Sequence, residues 1–169
     1  IQKVAQELKA DIAFEDESWI QGNTRSGRTW GLVGHPPQIQ VSDDRGGFHV
    51  LSMVTATGEL VFEVTTEKLV SAVFIRFLRK ALCGRTRPLI VITDNASYHT
   101  SNEVKDFVEA HSEQIRLFFF PPHSPKLNPD EQVWNEIKHR QLEKEPIKNR
   151  VDFQHRVYSA LIKLQKYKE

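Results

Sequence analysis

Ile12, Phe14 and Asp16 recur at every second position, the period of a strand, directly after a helical stretch over residues 2–10. "QGNTRSGRTWGLVGHPPQ", 21–38, is rich in Gly, Pro and Arg and predicts a long connection with irregular backbone. "FHVLSMVTA" and "ELVFEV" are strand-like and flank Thr57-Gly58, the pattern of a hairpin. Leu69, Val70, Val73, Phe74, Phe77, Leu78 and Ala81 then fall at helical spacing within residues 66–82 and form one apolar stripe. "PLIVIT", 88–93, is a continuous apolar run after a proline, as in a strand covered on both faces. Thr100 with Glu103 makes a capping-box pattern ahead of a helix that carries Val104, Phe107 and Val108. "IRLFFF" is the next strand, stopped by Pro121-Pro122, and Asn128-Pro129 opens a further helix with Pro at its first position. A last helix over roughly 151–167 sets Phe153, Val157, Leu161 and Leu164 on one side.

This order is helix, strand, long loop, hairpin, helix, strand, helix, strand, helix, helix. A hairpin followed by helix–strand alternation predicts an α/β domain with a mixed sheet and helices on its faces. The 169 residues suit one domain with one core. No apolar run reaches the roughly 18 residues of a membrane helix, and no signal-peptide pattern opens the chain. The single cysteine, Cys83, excludes an internal disulfide and a multi-cysteine zinc site, and is expected to be buried. Net charge is only +1, but it is unevenly spread. Residues 1–20 hold two Lys against five acids, whereas residues 116–169 hold eleven Lys and Arg against seven acids. An acidic pocket with a basic flank fits that asymmetry.

The candidate chemistry lies in three acids. Asp16 is expected to end the first strand and Asp94 the fourth, in "VITDNASYH". On parallel neighbouring strands both would stand at one sheet edge, beyond the carboxyl ends where α/β sheets bind ligands. Glu131 lies on the first turn of the helix after the final strand. Three such carboxylates repel one another unless a cation neutralises them, and hard ions such as Mg²⁺ prefer oxygen ligands. Each has a structural alternative: a solvated strand end for Asp16, an Asx turn for Asp94-Asn95, and a capping-box position for Glu131.

"FEDES", "VITDNASYH" and "FFPPHSPKLNPDEQVWNEIKHR" resemble the three signature blocks of DDE transposases of the mariner superfamily, in its bacterial insertion-sequence branch. The blocks keep the family's order, span residues 14–140, and leave 36 residues between Asp94 and Glu131. The resemblance implies a ribonuclease H-like fold with a mixed five-stranded sheet flanked by helices, residues 1–169 being one catalytic domain. It assigns Asp16, Asp94 and Glu131 as catalytic residues and as ligands of two Mg²⁺ or Mn²⁺ ions. The reaction it implies cleaves transposon ends and joins their 3′-hydroxyls to target DNA. Its partners would then be DNA and, at full length, a second copy in a homodimer, with no membrane and no small-molecule substrate. The expected setting is the bacterial cytoplasm, at the nucleoid. The family's N-terminal helix-turn-helix region is expected to lie outside this chain. Glu15 departs from the family, which more often has an apolar residue there. A hydrolysis-only nuclease of the same fold and a DNA-binding remnant without turnover are the alternatives.

For DNA contacts, Lys138 and Arg140 extend from the Glu131 helix as a basic face toward phosphates. His99, five residues after Asp94, is a candidate for the phosphate or a metal-bound water. Arg25 and Arg28 in the long loop are candidates for gripping DNA ends, beside Trp30. Trp134 is expected to pack its helix against the sheet.

Overall fold

The computed structural model describes residues 1–21, 30, 32–35, 46–121, 128–141 and 149–166, and the side chains of all of these except 139–141. Its elements are α1 (Gln2–Leu8), β1 (Asp11–Gln21), β2 (Gly47–Thr55), β3 (Leu60–Thr65), α2 (Ser71–Leu82), β4 (Leu89–Thr93), α3 (Asn102–Ala110), β5 (Ile115–Phe119), α4 (Glu131–Asn135, continued as a π-helix over Glu136–Gln141) and α5 (Arg150–Lys166). Five strands form one sheet in the order β3-β2-β1-β4-β5. The hairpin pairs are antiparallel, whereas β1–β4 and β4–β5 are parallel. Thr57-Gly58 makes the β2–β3 turn, where Gly58 takes φ +81°, a region costly for any residue with a Cβ.

Period-two alternation sends the sheet's side chains to two cores. On one face α2 and α3 press Val73, Phe74, Phe77, Leu78, Val104 and Phe107 onto Ala13, Leu51, Met53, Leu89, Val91 and Ile115. On the other face α4 and α5 bring Trp134, Ile137, Phe153, Val157 and Leu161 onto Ile20, Phe48, Val50, Leu60 and Phe62. Further along that second face α1 covers Ile90 and Ile92. Central β4, clamped between parallel neighbours and helices, buries all five of its residues. Among the described residues no helix is long and apolar enough to cross a membrane.

Several local expectations shift. β1 does not end at Asp16; it runs to Gln21, because β2 pairs with it as far as Gln21↔Gly47 while β4 pairs only with residues 11–14. Asp16 therefore stands just beyond the parallel part of the ladder. The cap of α3 is Ser101, whose Oγ accepts the Val104 amide at 3.3 Å. Thr100 is not the cap because its hydroxyl is turned toward the Ala96 and Ser97 carbonyls. α4 starts two residues after Pro129: successive i+3 bonds from Glu131, Gln132 and Val133 form a tight turn first. Cys83 is exposed, since it lies just past the apolar stripe of α2 as its C-cap.

Candidate active site

Extending the β1–β4 register from Phe14↔Ile92 sets Asp16 opposite Asp94, one residue past the end of β4. Asp16 shares the parity of Phe14 and so faces α4 rather than α2, whereas Asp94 lies past its strand and turns Oδ1 to His99. Glu131, the first residue of α4, arrives on that same face.

α4 is docked there by polar bonds as well as apolar contact. Trp134 Nε1 donates to Asp16 Oδ2 at 2.9 Å, and Lys138 Nζ donates to Ser18 Oγ at 2.6 Å. Ser52, the cross-strand partner of Asp16, donates to the buried Asp130 Oδ2 at 2.6 Å. Trp134 is buried among the α5 side chains, so it packs the helix and also holds the aspartate.

Burial raises the Asp16 pKa, the Trp134 bond lowers it, and the negative charges of Asp94 and Glu131 both raise it. Asp94 Oδ1 accepts the Ala96 amide at 2.8 Å, the Asx turn of the sequence reading, and also meets His99 Nδ1 at 2.8 Å. The Glu131 side chain is exposed and makes no hydrogen bond or ion pair to another described residue, so the capping-box alternative is not realised. Instead Asn128 Oδ1 accepts the Asp130 amide at 3.1 Å. Asp130, 0% exposed, is pushed up to about 8 by burial.

The opposite face of β1 holds a second acidic group. Glu15 and Glu17 point toward α2, and His99 comes from the turn after β4 to meet them. His99 is only 1% exposed and packs between the rings of Phe74 and Tyr98, each 4.3 Å from it. As an outward DNA contact it would need a solvent-facing atom, and in this structure it presents none. Burial lowers its pKa. Burial first, then the charge of Glu17, raises Glu15 well above the carboxylate range, while Thr93 Oγ1 donates to its Oε2. Burial takes Glu17 to about 7, against a hydrogen bond donated by the Tyr98 hydroxyl. Arg140 lies on the π-helical stretch with its side chain outside the described part, and Arg25 and Arg28 lie outside the described residues.

Acidic side chains within β1, just past β4 and at the start of α4, in one α/β domain, fit the layout of a metal-dependent nucleic-acid enzyme. The family model described as DDE superfamily endonuclease matches residues 11–154, and the chain belongs to that family. Its fold is shared with the Mos1 transposase paired-end complex with left transposon end, at TM-score 0.66 and 16% identity, over 99% of this chain and 61% of that one. The Mos1 mariner paired-end complex with Mn aligns at TM-score 0.63 and 16% identity, covering 98% of this chain and 55% of that chain. The catalytic domain of Mos1 mariner transposase aligns at TM-score 0.59 and 14% identity, over 99% and 91% of the two chains. The chain thus spans about 61% of the length of the paired-end protein it matches. A search of curated protein sequences returned no match. The mixed five-stranded sheet with flanking helices is the ribonuclease H-like fold expected from the sequence.

Thr93, Tyr98, Asp130 and Ser52 have no counterpart among the sequence candidates, and Glu15 and Glu17 stand there only as acidic neighbours of Asp16. A signal was present: in a central strand covered on both faces, two acids of one parity flanking an acid of the other leave no face apolar.

Proposed function

We propose that this domain is the catalytic domain of a DNA transposase, with Asp16, Asp94 and Glu131 as its catalytic carboxylates. The observation that carries the reading is that the extended β1–β4 register sets Asp16 opposite Asp94, while the Trp134 indole bonds α4, which begins at Glu131, to Asp16. That donor set is all oxygen and mutually repulsive, which fits hard divalent cations. Mos1 paired-end complexes hold Mn or Mg, and by analogy we assign two Mg²⁺ or Mn²⁺ ions to this triad. Such ions supply Lewis acidity to an attacking oxygen and to a leaving one.

The chain's own residues divide the remaining work. Trp134 orients Asp16 and favours its charged form, and the Asx turn and His99 hold Asp94. The carboxylate of Glu131, bonded to no other side chain among the described residues, closes the set from α4. Lys138, anchored on Ser18, keeps a positive charge along the same face, where a DNA backbone would lie. Arg140, Arg25 and Arg28 remain proposed phosphate contacts. Cleaving transposon ends and joining them to target DNA calls for at least a homodimer of the full-length protein, working at the bacterial nucleoid.

The test is strand transfer by the full-length protein, using oligonucleotides that carry a pre-cut transposon end with a free 3′-hydroxyl. Joining to plasmid DNA should require Mg²⁺ or Mn²⁺ and disappear in Asp94→Asn and Glu131→Gln variants that remain folded. Cleavage without joining would point to a nuclease, and normal joining by either variant would overturn the assignment.

A further inference from the structure

On the face of β1 opposite Asp16, three side chains meet, each with a donor atom left unpartnered among the described residues. Glu15 Oε1, Glu17 Oε2 and His99 Nε2 are buried and make no hydrogen bond among the described residues. One ligand atom from each of these residues lies within 4.8 Å of the other two. His99 Nε2 is 3.6 Å from Glu15 Oε2 and 4.0 Å from Glu17 Oε2, too long for hydrogen bonds. Donors sharing one zinc-class ion at about 2.1 Å lie roughly 3.4 Å apart at tetrahedral angles and about 4.2 Å apart when opposite. The observed separations fall in that range.

The hydrogen bonds decide which way the imidazole points. Its Nδ1 faces the Asp94 carboxylate at 2.8 Å, an acceptor, so Nδ1 carries the proton. The Thr93 hydroxyl spends its hydrogen on Glu15, so it too accepts from Nδ1, at 3.2 Å. Nε2 therefore turns a bare lone pair on two carboxylates. Lone pairs so arranged in a dry interior repel unless a cation sits among them. An imidazole whose far nitrogen donates to a carboxylate is the usual form of a metal-bound histidine.

We propose that Glu15, Glu17 and His99 form a second metal site, on the face of β1 opposite Asp16, that takes a zinc-class divalent cation. One nitrogen and two carboxylates favour such an ion over Mg²⁺, which prefers all-oxygen sites. The half-buried Glu17 and Tyr98 mark its way in. The ion would tie β1 to the turn after β4, and through His99 it would hold Asp94 in place. It is structural, separate from the transposase reading, and is measured without DNA.

Co²⁺ is the probe, added to metal-free protein in excess Mg²⁺ so that the all-oxygen site is already satisfied. The wild type should bind one Co²⁺ per chain with visible d–d absorption, released by one equivalent of Zn²⁺. Glu131→Gln should keep that spectrum, and Glu15→Gln and Glu17→Gln should each lose it. Removing a buried negative charge should leave both latter variants at least as heat-stable as wild type in EDTA, and only the wild type should gain Tm from Zn²⁺. A wild type that binds no Co²⁺, a spectrum that survives in either glutamine variant, or an equal Zn²⁺ gain in all three proteins would overturn the site and leave a proton-bridged cluster.

Discussion

The indole of Trp134 donates to Asp16 across the gap between α4 and β1, at 2.9 Å. One side chain thereby fastens the helix that carries Glu131 and favours the charged form of the acid it faces. Trp134→Phe would keep most of the packing and delete the bond. A hydrogen bond to a charged group contributes about 1.5–3 kcal/mol, or roughly 10–100-fold. The Asp16 pKa should rise, so the acid limb of the activity–pH profile should move to higher pH. The half-saturating Mg²⁺ concentration should increase by about tenfold or more, with a stability loss near 1 kcal/mol. An unchanged pH profile would show that the indole only packs.

Asp130 gives stability a defined pH slope. Its folded-state pKa is pushed up to about 8, against 3.8 in an unfolded chain. Between those values the folded protein holds a proton that the unfolded chain has released. Stability therefore falls as pH rises, by up to about 1.4 kcal/mol per unit, and levels off above pH 8. Asp130→Asn keeps the acceptor for Ser52 and removes the titration. Urea unfolding in EDTA should find the variant gaining on wild type from pH 5 to pH 8. Glu15 and Glu17 add slopes of the same sign, so the difference between variant and wild type is the quantity to read.

Most of the fold was legible because the sheet obeys simple periods. The run Leu89–Thr93 is apolar throughout and is buried throughout; the stripe from Val73 to Ala81 became the core face of α2. The expectation that Asp16 ends its strand was wrong: β2 pairs with β1 as far as Gln21 while β4 pairs with it only as far as Phe14, and local sequence does not encode a partner's length. His99 was misread for a related reason. A histidine after a turn has no periodic signature, and only the tertiary fold supplies the Phe74 and Tyr98 rings that enclose it. Nor does Pro129 lie in the helix: Asn128 Oδ1 accepts the Asp130 amide as a cap would, but the first turn closes with i+3 bonds, so α4 begins at Glu131.

The cap of α3 offers a direct check on one such correction. Ser101 Oγ accepts the Val104 amide, whereas Thr100 donates to carbonyls upstream. Ser101→Ala should cost about 1 kcal/mol, within the usual 0.5–2 range for a lost cap. Thr100→Ala should cost only a few tenths of a kcal/mol, as for most surface changes. Chemical denaturation of the two variants side by side reads the difference, and the reverse ranking would restore the cap to Thr100.

Gly47 and Gly58 are both glycines of the β2–β3 region, and an alanine at each should fail for a different reason. At Gly47 the backbone is ordinary, but a Cβ would stand 2.5 Å from the Trp19 ring and 2.7 Å from the Ile20 carbonyl oxygen. Trp19 is half exposed and can swing outward; the carbonyl belongs to β1 and moves only if the ladder opens. Gly47→Ala should therefore cost about 1–3 kcal/mol as an overpacked contact. At Gly58 nothing lies within 4 Å, but φ is +81°. Gly58→Ala should cost about 1 kcal/mol through backbone strain alone. The two are separated by a double variant with Trp19→Ala, which should recover part of the Gly47→Ala loss and none of the Gly58→Ala loss. Equal recovery at both positions would show that Trp19 acts on the whole hairpin and not on the space above Gly47.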